Sequence, residues 1–297
     1  MTTFPVVFES NGTLLAGRVH RAGDDLLERQ PAVLVTGSWL TVKEQMADRY
    51  AAELAARGYT AITFDFAGFG ESGGEPRQFE LPSRKIADIV AAARFASSLS
   101  FVRPGGLGYV GVCASAQYAL AAIGSGAPVT SFAGVAGWFH DTESVAPFYG
   151  GPDGVRLRLD RAALALEELR RDRTVVTVPA YAAGSDRAGM SLEMDYYANP
   201  ARGAVPSWRN EMAEASWLPW LTFDGLSAAD VVAAPTLFVH SDDCVFPSHV
   251  EALRSRLRGP VSVAWGSGSQ TDFYDQPAQV AFAVEALDAH FAKTLPA

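Results

Sequence analysis

Short, unbroken apolar runs recur along the chain: Ala32-Val-Leu-Val-Thr36, Thr60-Ala-Ile-Thr-Phe-Asp65, Leu107-Gly-Tyr-Val-Gly-Val112, Val129 to Gly137, Pro235-Thr-Leu-Phe-Val-His240 and Val261-Ser-Val-Ala-Trp265. A run with no polar alternation reads as a strand buried on both faces, the signature of a parallel sheet. Between the runs, residues 43–57, 83–97, 114–123, 248–257 and 277–292 carry helical spacing. The N-terminus differs: Pro5 to Glu9 and Thr13 to His20 flank Asn11-Gly12, a strong hairpin turn signal. Strands alternating with helices predict an α/β domain, a mostly parallel sheet covered on both faces with an antiparallel hairpin at its start.

The alternation lapses over residues 141–229, where one clear helix, 161–173, precedes aromatic- and proline-rich sequence carrying Trp208, Trp217 and Trp220. The expected organisation is therefore a core of residues 1–140 and 230–297 with 141–229 inserted as a lid. Ligands of such sheets bind beyond the carboxyl ends of the strands, where an insertion after a strand would cover them.

A net charge of −9 repels polyanions on average, so nucleic acid is not an expected partner. No apolar run reaches the ~18 residues of a membrane-spanning helix, so no membrane partner is expected either. The start, Met-Thr-Thr-Phe-Pro, shows no signal-peptide pattern, and two cysteines make no disulfide framework. A cytoplasmic protein acting on a small molecule is the expectation, with no prediction of oligomeric state. There is no Walker loop and no cluster with metal-ligand spacing, so neither a metal nor another cofactor is inferred.

The chemistry concentrates at two places. Gly111-Val-Cys113-Ala-Ser115 joins an apolar strand to an alanine-rich helix, the layout of a nucleophile elbow with Cys113 at the turn. A helix N-terminus favours an anion, so the thiol pKa is expected to fall. Gly268-Ser-Gln270-Thr-Asp-Phe-Tyr-Asp275 follows the last strand. With Asp65-Phe-Ala-Gly-Phe-Gly-Glu-Ser72, Thr36-Gly-Ser-Trp39 and His240-Ser-Asp-Asp-Cys-Val-Phe-Pro247, these segments make the chain resemble the α/β-hydrolase superfamily. It looks closest to the dienelactone-hydrolase-like branch, which uses a cysteine nucleophile. The resemblance spans Pro31 to Phe291 and implies Cys113 as nucleophile, Asp243 as acid, and the backbone N–H groups of Ser38 and Ala114 as oxyanion donors.

The departure is Gln270, which stands where the resemblance implies a histidine base. A glutamine amide can donate to Asp243 and accept from another group, but it takes no proton near neutral pH. His140, at the end of the strand 129–137, is the expected substitute base. Trp39, Tyr196 and His240 are expected to contact substrate. His20, His249 and His290 are read as surface residues. Three functions remain open: cysteine-dependent acyl transfer or hydrolysis on a small apolar or aromatic ester, thioester or lactone; a non-hydrolytic lyase, cyclase or carbon–carbon bond enzyme; or a silent ligand-binding protein.

Overall fold

A computed structural model describes residues 1–296. In chain order the elements are β1 (Thr2–Ser10), β2 (Thr13–Arg21), β3 (Gln30–Thr36), α1 (Met46–Ala55), β4 (Thr60–Phe64), α2 (Pro82–Ser98), β5 (Val102–Val112), α3 (Ser115–Gly124) and β6 (Ser131–Val135). Then follow α4 (Gly151–Asp172), β7 (Thr177–Val178), α5 (Asp195–Ala198), β8 (Met212–Ala213), α6 (Trp217–Leu221), β9 (Thr236–His240), α7 (Pro247–Arg256), β10 (Val261–Trp265), α8 (Asp272–Asp275) and α9 (Pro277–Thr294).

Eight strands form one sheet in the order β1-β2-β4-β3-β5-β6-β9-β10. In this sheet β1 pairs antiparallel with β2, and β2 with β4, while its other pairings are parallel; β7 and β8 form a separate antiparallel pair. All but one of the runs without polar alternation take the centre, and every residue of β4, β6 and β9 is buried; the run of β10 instead forms an edge strand with no fully buried residue. α1 packs against α9 and α2 against α3, which covers both faces. Asn11 and Gly12 both take positive φ, as the hairpin turn requires.

Two further expectations shift. α4 begins at Gly151, ten residues ahead of the predicted helix, despite Gly151 and Gly154. Pro152 suits the first helical turn, and Arg158 anchors it: Nη1 donates to the Tyr149 carbonyl at 2.9 Å, and the guanidinium lies over the Tyr149 and Trp217 rings. Tertiary contact here overrides low helix propensity. His20 and His290 are buried, not on the surface; His20 bonds Asp48 and His290 bonds Ser131.

The turn after β4 shows what its glycines are for. Gly68-Phe-Gly-Glu-Ser-Gly73 has the spacing of a dinucleotide-binding loop, but it closes on its own chain. Asp65 accepts from the Glu71 N–H at 3.0 Å, and a Cβ at Gly70 would collide with that carboxylate. Asp65 also accepts from the Lys43 N–H and the Lys43 Nζ, each at 2.8 Å. Lys43 reaches Glu44 and Glu71 too, and so fills the space among the three carboxylates. Burial alone would lower the ammonium pKa, but Asp65, Glu44 and Glu71 hold it well above its usual range.

Candidate active site

Parallel strands place the ends of β3, β5, β6, β9 and β10 along one edge, where the candidate residues gather. At the end of β5 the backbone turns so sharply that Cys113 adopts φ 56°, a left-handed conformation costing an L-residue roughly 1–2 kcal/mol. Neighbours hold it there. The Cys113 N–H donates to the Val135 carbonyl at 3.0 Å, and Ser115 Oγ donates to the Thr36 carbonyl at 3.0 Å. Gly111 is required for the close approach, since a Cβ there would lie 2.6 Å from Ala116 Cα.

The thiol is 4% exposed, and burial pushes its pKa up, opposite to the expected fall. Ser38, Tyr274, the Ala114 N–H and Gln270 pull in the other direction but do not outweigh the lost solvation. Of the two expected oxyanion donors, the Ala114 N–H faces the sulfur. The Ser38 N–H instead donates to Met46 Sδ at 3.3 Å, and it is the Ser38 hydroxyl that joins the site. A thioether is a weak acceptor, so a substrate oxygen would compete well for that N–H.

Gln270 does not bond Asp243. Its Oε1 accepts from the Val245 N–H at 3.1 Å, while Nε2 donates to the Ala136 carbonyl at 2.6 Å and to the Tyr274 hydroxyl at 3.2 Å. Asp243 is exposed and lines the cavity, and among the described residues its side chain makes no hydrogen bond. The Tyr197 hydroxyl donates to Ser38 Oγ at 3.1 Å, and Ser38 Oγ lies 3.5 Å from the Tyr274 hydroxyl. Tyr197 and Tyr274 are thus site residues that motif reading undervalued. The available signal for Tyr274 was closeness in the chain, since it lies in the same short segment as Gln270.

These groups open into a cavity of about 270 Å³. Trp39, Trp138 and Trp220 wall it, with Trp39 stacked on Trp220 at 4.4 Å. The segment 141–229 supplies Phe148, Tyr149, Gly189 to Met194, Tyr197 and Trp220. That segment is tied down on both sides. Gln45 Nε2 donates to the Gly203 carbonyl at 2.6 Å and Trp208 Nε1 to the Leu40 carbonyl at 2.8 Å. Arg202 forks onto Asp275 at 2.8 and 2.5 Å.

Three expected contacts are not brought to the cavity. His140 is fully buried behind it: Nδ1 accepts from Trp138 Nε1 at 2.7 Å, and Nε2 faces the Trp220 carbonyl at 3.0 Å. With both nitrogens engaged, it is a structural pin between β6 and α6, not a base. His240 is also buried, with Nε2 on the Val245 carbonyl at 3.0 Å. Tyr196 packs against Tyr274 and Gly203 beneath the wall, and its neighbour Tyr197 takes the cavity position.

Burial pushes the His140 pKa down to about 4. Its folded value then lies below its unfolded value near ~6.5, so the unfolded chain binds more protons between those limits. Stability contributed by His140 is present above pH ~6.5 and is lost as pH falls toward 4, on the order of 3 kcal/mol in all. Urea midpoints measured from pH 7 to 4.5 should fall more steeply for the native chain than for His140→Gln. Equal slopes would show that His140 does not titrate in this window.

Residues 32–284 match the Alpha/beta hydrolase family. The chain belongs to that family. The structure of the hypothetical protein PA2218 from Pseudomonas aeruginosa superposes with a TM-score of 0.81 at 23% identity, covering 99% of this chain and 94% of that one. By sequence, 111 residues are 35% identical to the polyketide transferase claH of Penicillium crustosum, 37% of this chain and 36% of that one. Another 35% identity, over 95 residues, relates the chain to the acyltransferase drtE of Aspergillus calidoustus, 32% of this chain and 31% of that one. The chain therefore spans about a third of the length of these two relatives. Among its described residues, no helix of this α/β hydrolase is long and apolar enough to cross a membrane.

Proposed function

We propose that this α/β hydrolase is an acyl-transfer enzyme in which Cys113 accepts the acyl group of a small apolar or aromatic thioester or activated ester. The observation that carries this reading is a thiol at a strained elbow, facing Ala114 N–H and Ser38, in a cavity with no histidine on its wall among the described residues. Such donors suit the oxyanion of a tetrahedral intermediate, where one is worth ~3 kcal/mol. Attack of a thiol on a thioester is proton-neutral overall, because the proton lost by Cys113 is regained by the departing thiol. Hydrolysis of the acyl-cysteine also returns a proton to Cys113, but neutral water is a weak nucleophile that needs a strong general base as it attacks, a role the Gln270 amide cannot fill. The reading is therefore transfer to an acceptor nucleophile, with slow leakage to water. The relatives named polyketide transferase and acyltransferase support this class.

A second reading is a carbon–carbon bond enzyme, lyase or cyclase. It is favoured by the hydroxyls of Ser38, Tyr197 and Tyr274 clustering without an imidazole, since neutral donors stabilise an enolate. Intact-protein mass spectrometry after incubation with a phenylacetyl thioester separates the readings. Acyl transfer predicts a long-lived adduct of one acyl mass, absent in Cys113→Ala. No adduct on the native protein would rule it out.

A further inference from the structure

The hydrogen-bond directions around Gln270 have only one consistent assignment. Its carbonyl faces the Val245 N–H, so its amide nitrogen must be the group on the Ala136 carbonyl and on the Tyr274 oxygen. Tyr274 thus receives a hydrogen bond from Gln270 and has its own hydroxyl proton left to give. It is 2% exposed, lines the cavity, and its phenol has Cys113 and Ser38 as polar neighbours. Ser38 Oγ already accepts from Tyr197. With Tyr197 donating to Ser38 Oγ and Gln270 donating to the Tyr274 oxygen, the Tyr274 hydroxyl proton is not committed to Gln270 or Tyr197.

We propose that Tyr274 is a catalytic residue that protonates the leaving group during acylation of Cys113, and that Gln270 is a positioning residue which aims its hydroxyl. This rests on the acyl-transfer reading above. In the step, the Cys113 Sγ–carbonyl carbon bond forms and the bond from that carbon to the leaving sulfur breaks. The Tyr274 hydroxyl gives its proton to the departing sulfur, and its oxygen takes the proton released by Cys113. The phenol ends as it began, and no outside acid or base is consumed. Burial holds the phenol well above its usual range, so it exchanges protons in a concerted way and does not persist as a phenolate. The assignment also accounts for a glutamine at 270: it holds the phenol's rotor without competing for the proton.

Leaving-group dependence tests this. The rate of adduct formation on Cys113 would be followed with acyl thioesters of one acyl group and two thiols, an alkyl thiol and 4-nitrothiophenol. An alkyl thiolate needs protonation to leave, and a nitrothiophenolate does not. Tyr274→Phe should slow the alkyl donor about a hundredfold and the aryl donor less than about threefold. Gln270→Leu, which keeps the phenol but frees its rotor, should show the same preference with a smaller loss, and stands in should Tyr274→Phe fold poorly. Equal loss with both donors would overturn the role of Tyr274 while leaving acyl transfer intact. No adduct with either donor on the native protein would overturn both.

Discussion

Gln270→His is expected to convert this site into an esterase, raising the hydrolysis of p-nitrophenyl esters by roughly two orders of magnitude. The position sits after β10, beside Tyr274 and within reach of the Cys113 environment. An imidazole there can take a proton from water attacking the acyl-cysteine, the step that the amide cannot assist. Asp243 lines the same cavity with its carboxylate free of hydrogen bonds among the described residues, and so is available to orient the new ring. Neutral imidazole is the active form, so the gained rate should rise with pH through about 6.5 and then level off. Deacylation measured by stopped flow from pH 5 to 8 checks this. Adding Asp243→Asn to Gln270→His should remove about tenfold or more of the gain. A Gln270→His protein that still acylates but does not deacylate faster would show that exclusion of water, and not the missing base, limits hydrolysis.

Lys43→Met should cost about 3–5 kcal/mol of stability, the largest loss expected of any single change near the site. The reason is the carboxylate left behind. Asp65 is 1% exposed, and among the described residues its only cationic partner is Lys43 at 2.8 Å. Methionine replaces the stem of lysine well, so packing changes little and the unpaired buried charge dominates. Adding Asp65→Asn should recover much of the loss, because the amide carbonyl can still accept from the Lys43 or Glu71 backbone N–H. Denaturant midpoints of the single and double variants form the cycle that measures the coupling. Since Lys43 belongs to the loop carrying Ser38 and Trp39, Lys43→Met should also slow Cys113 acylation. Full recovery of stability without recovery of acylation would separate the two roles of that loop.

Much of the framework was legible in the chain. The unbroken apolar runs became the central strands, except that Val261–Trp265 became the edge strand β10, and Asn11-Gly12 became the hairpin turn. The Gly111-x-Cys113-x-Ser115 spacing became an elbow, because a glycine two residues back is what lets helix α3 approach strand β5. Such features are local: one turn type, one pattern period, one close backbone contact. The electrostatics of the thiol were not local. A helix N-terminus argues for an acidic Cys113, but burial under the aromatic wall reverses the direction. The histidine substitutes failed for a related reason. His140 and His240 do end their strands, but a strand end says nothing about whether a ring faces the cavity or the packing behind it.

By itself, the sequence determined the fold, the position of Cys113 and the absence of a histidine at 270, since periodicity and motif spacing are properties of neighbouring residues. Only the tertiary structure decided the partners. It turned Gln270 away from Asp243 and onto Val245, Ala136 and Tyr274, chose Tyr197 over Tyr196 for the cavity, and committed both nitrogens of His140 to packing. Hydrogen bonds and desolvation act over a few ångströms between segments distant in the chain, so which donor meets which acceptor exists only once the insertion has closed over the strand ends.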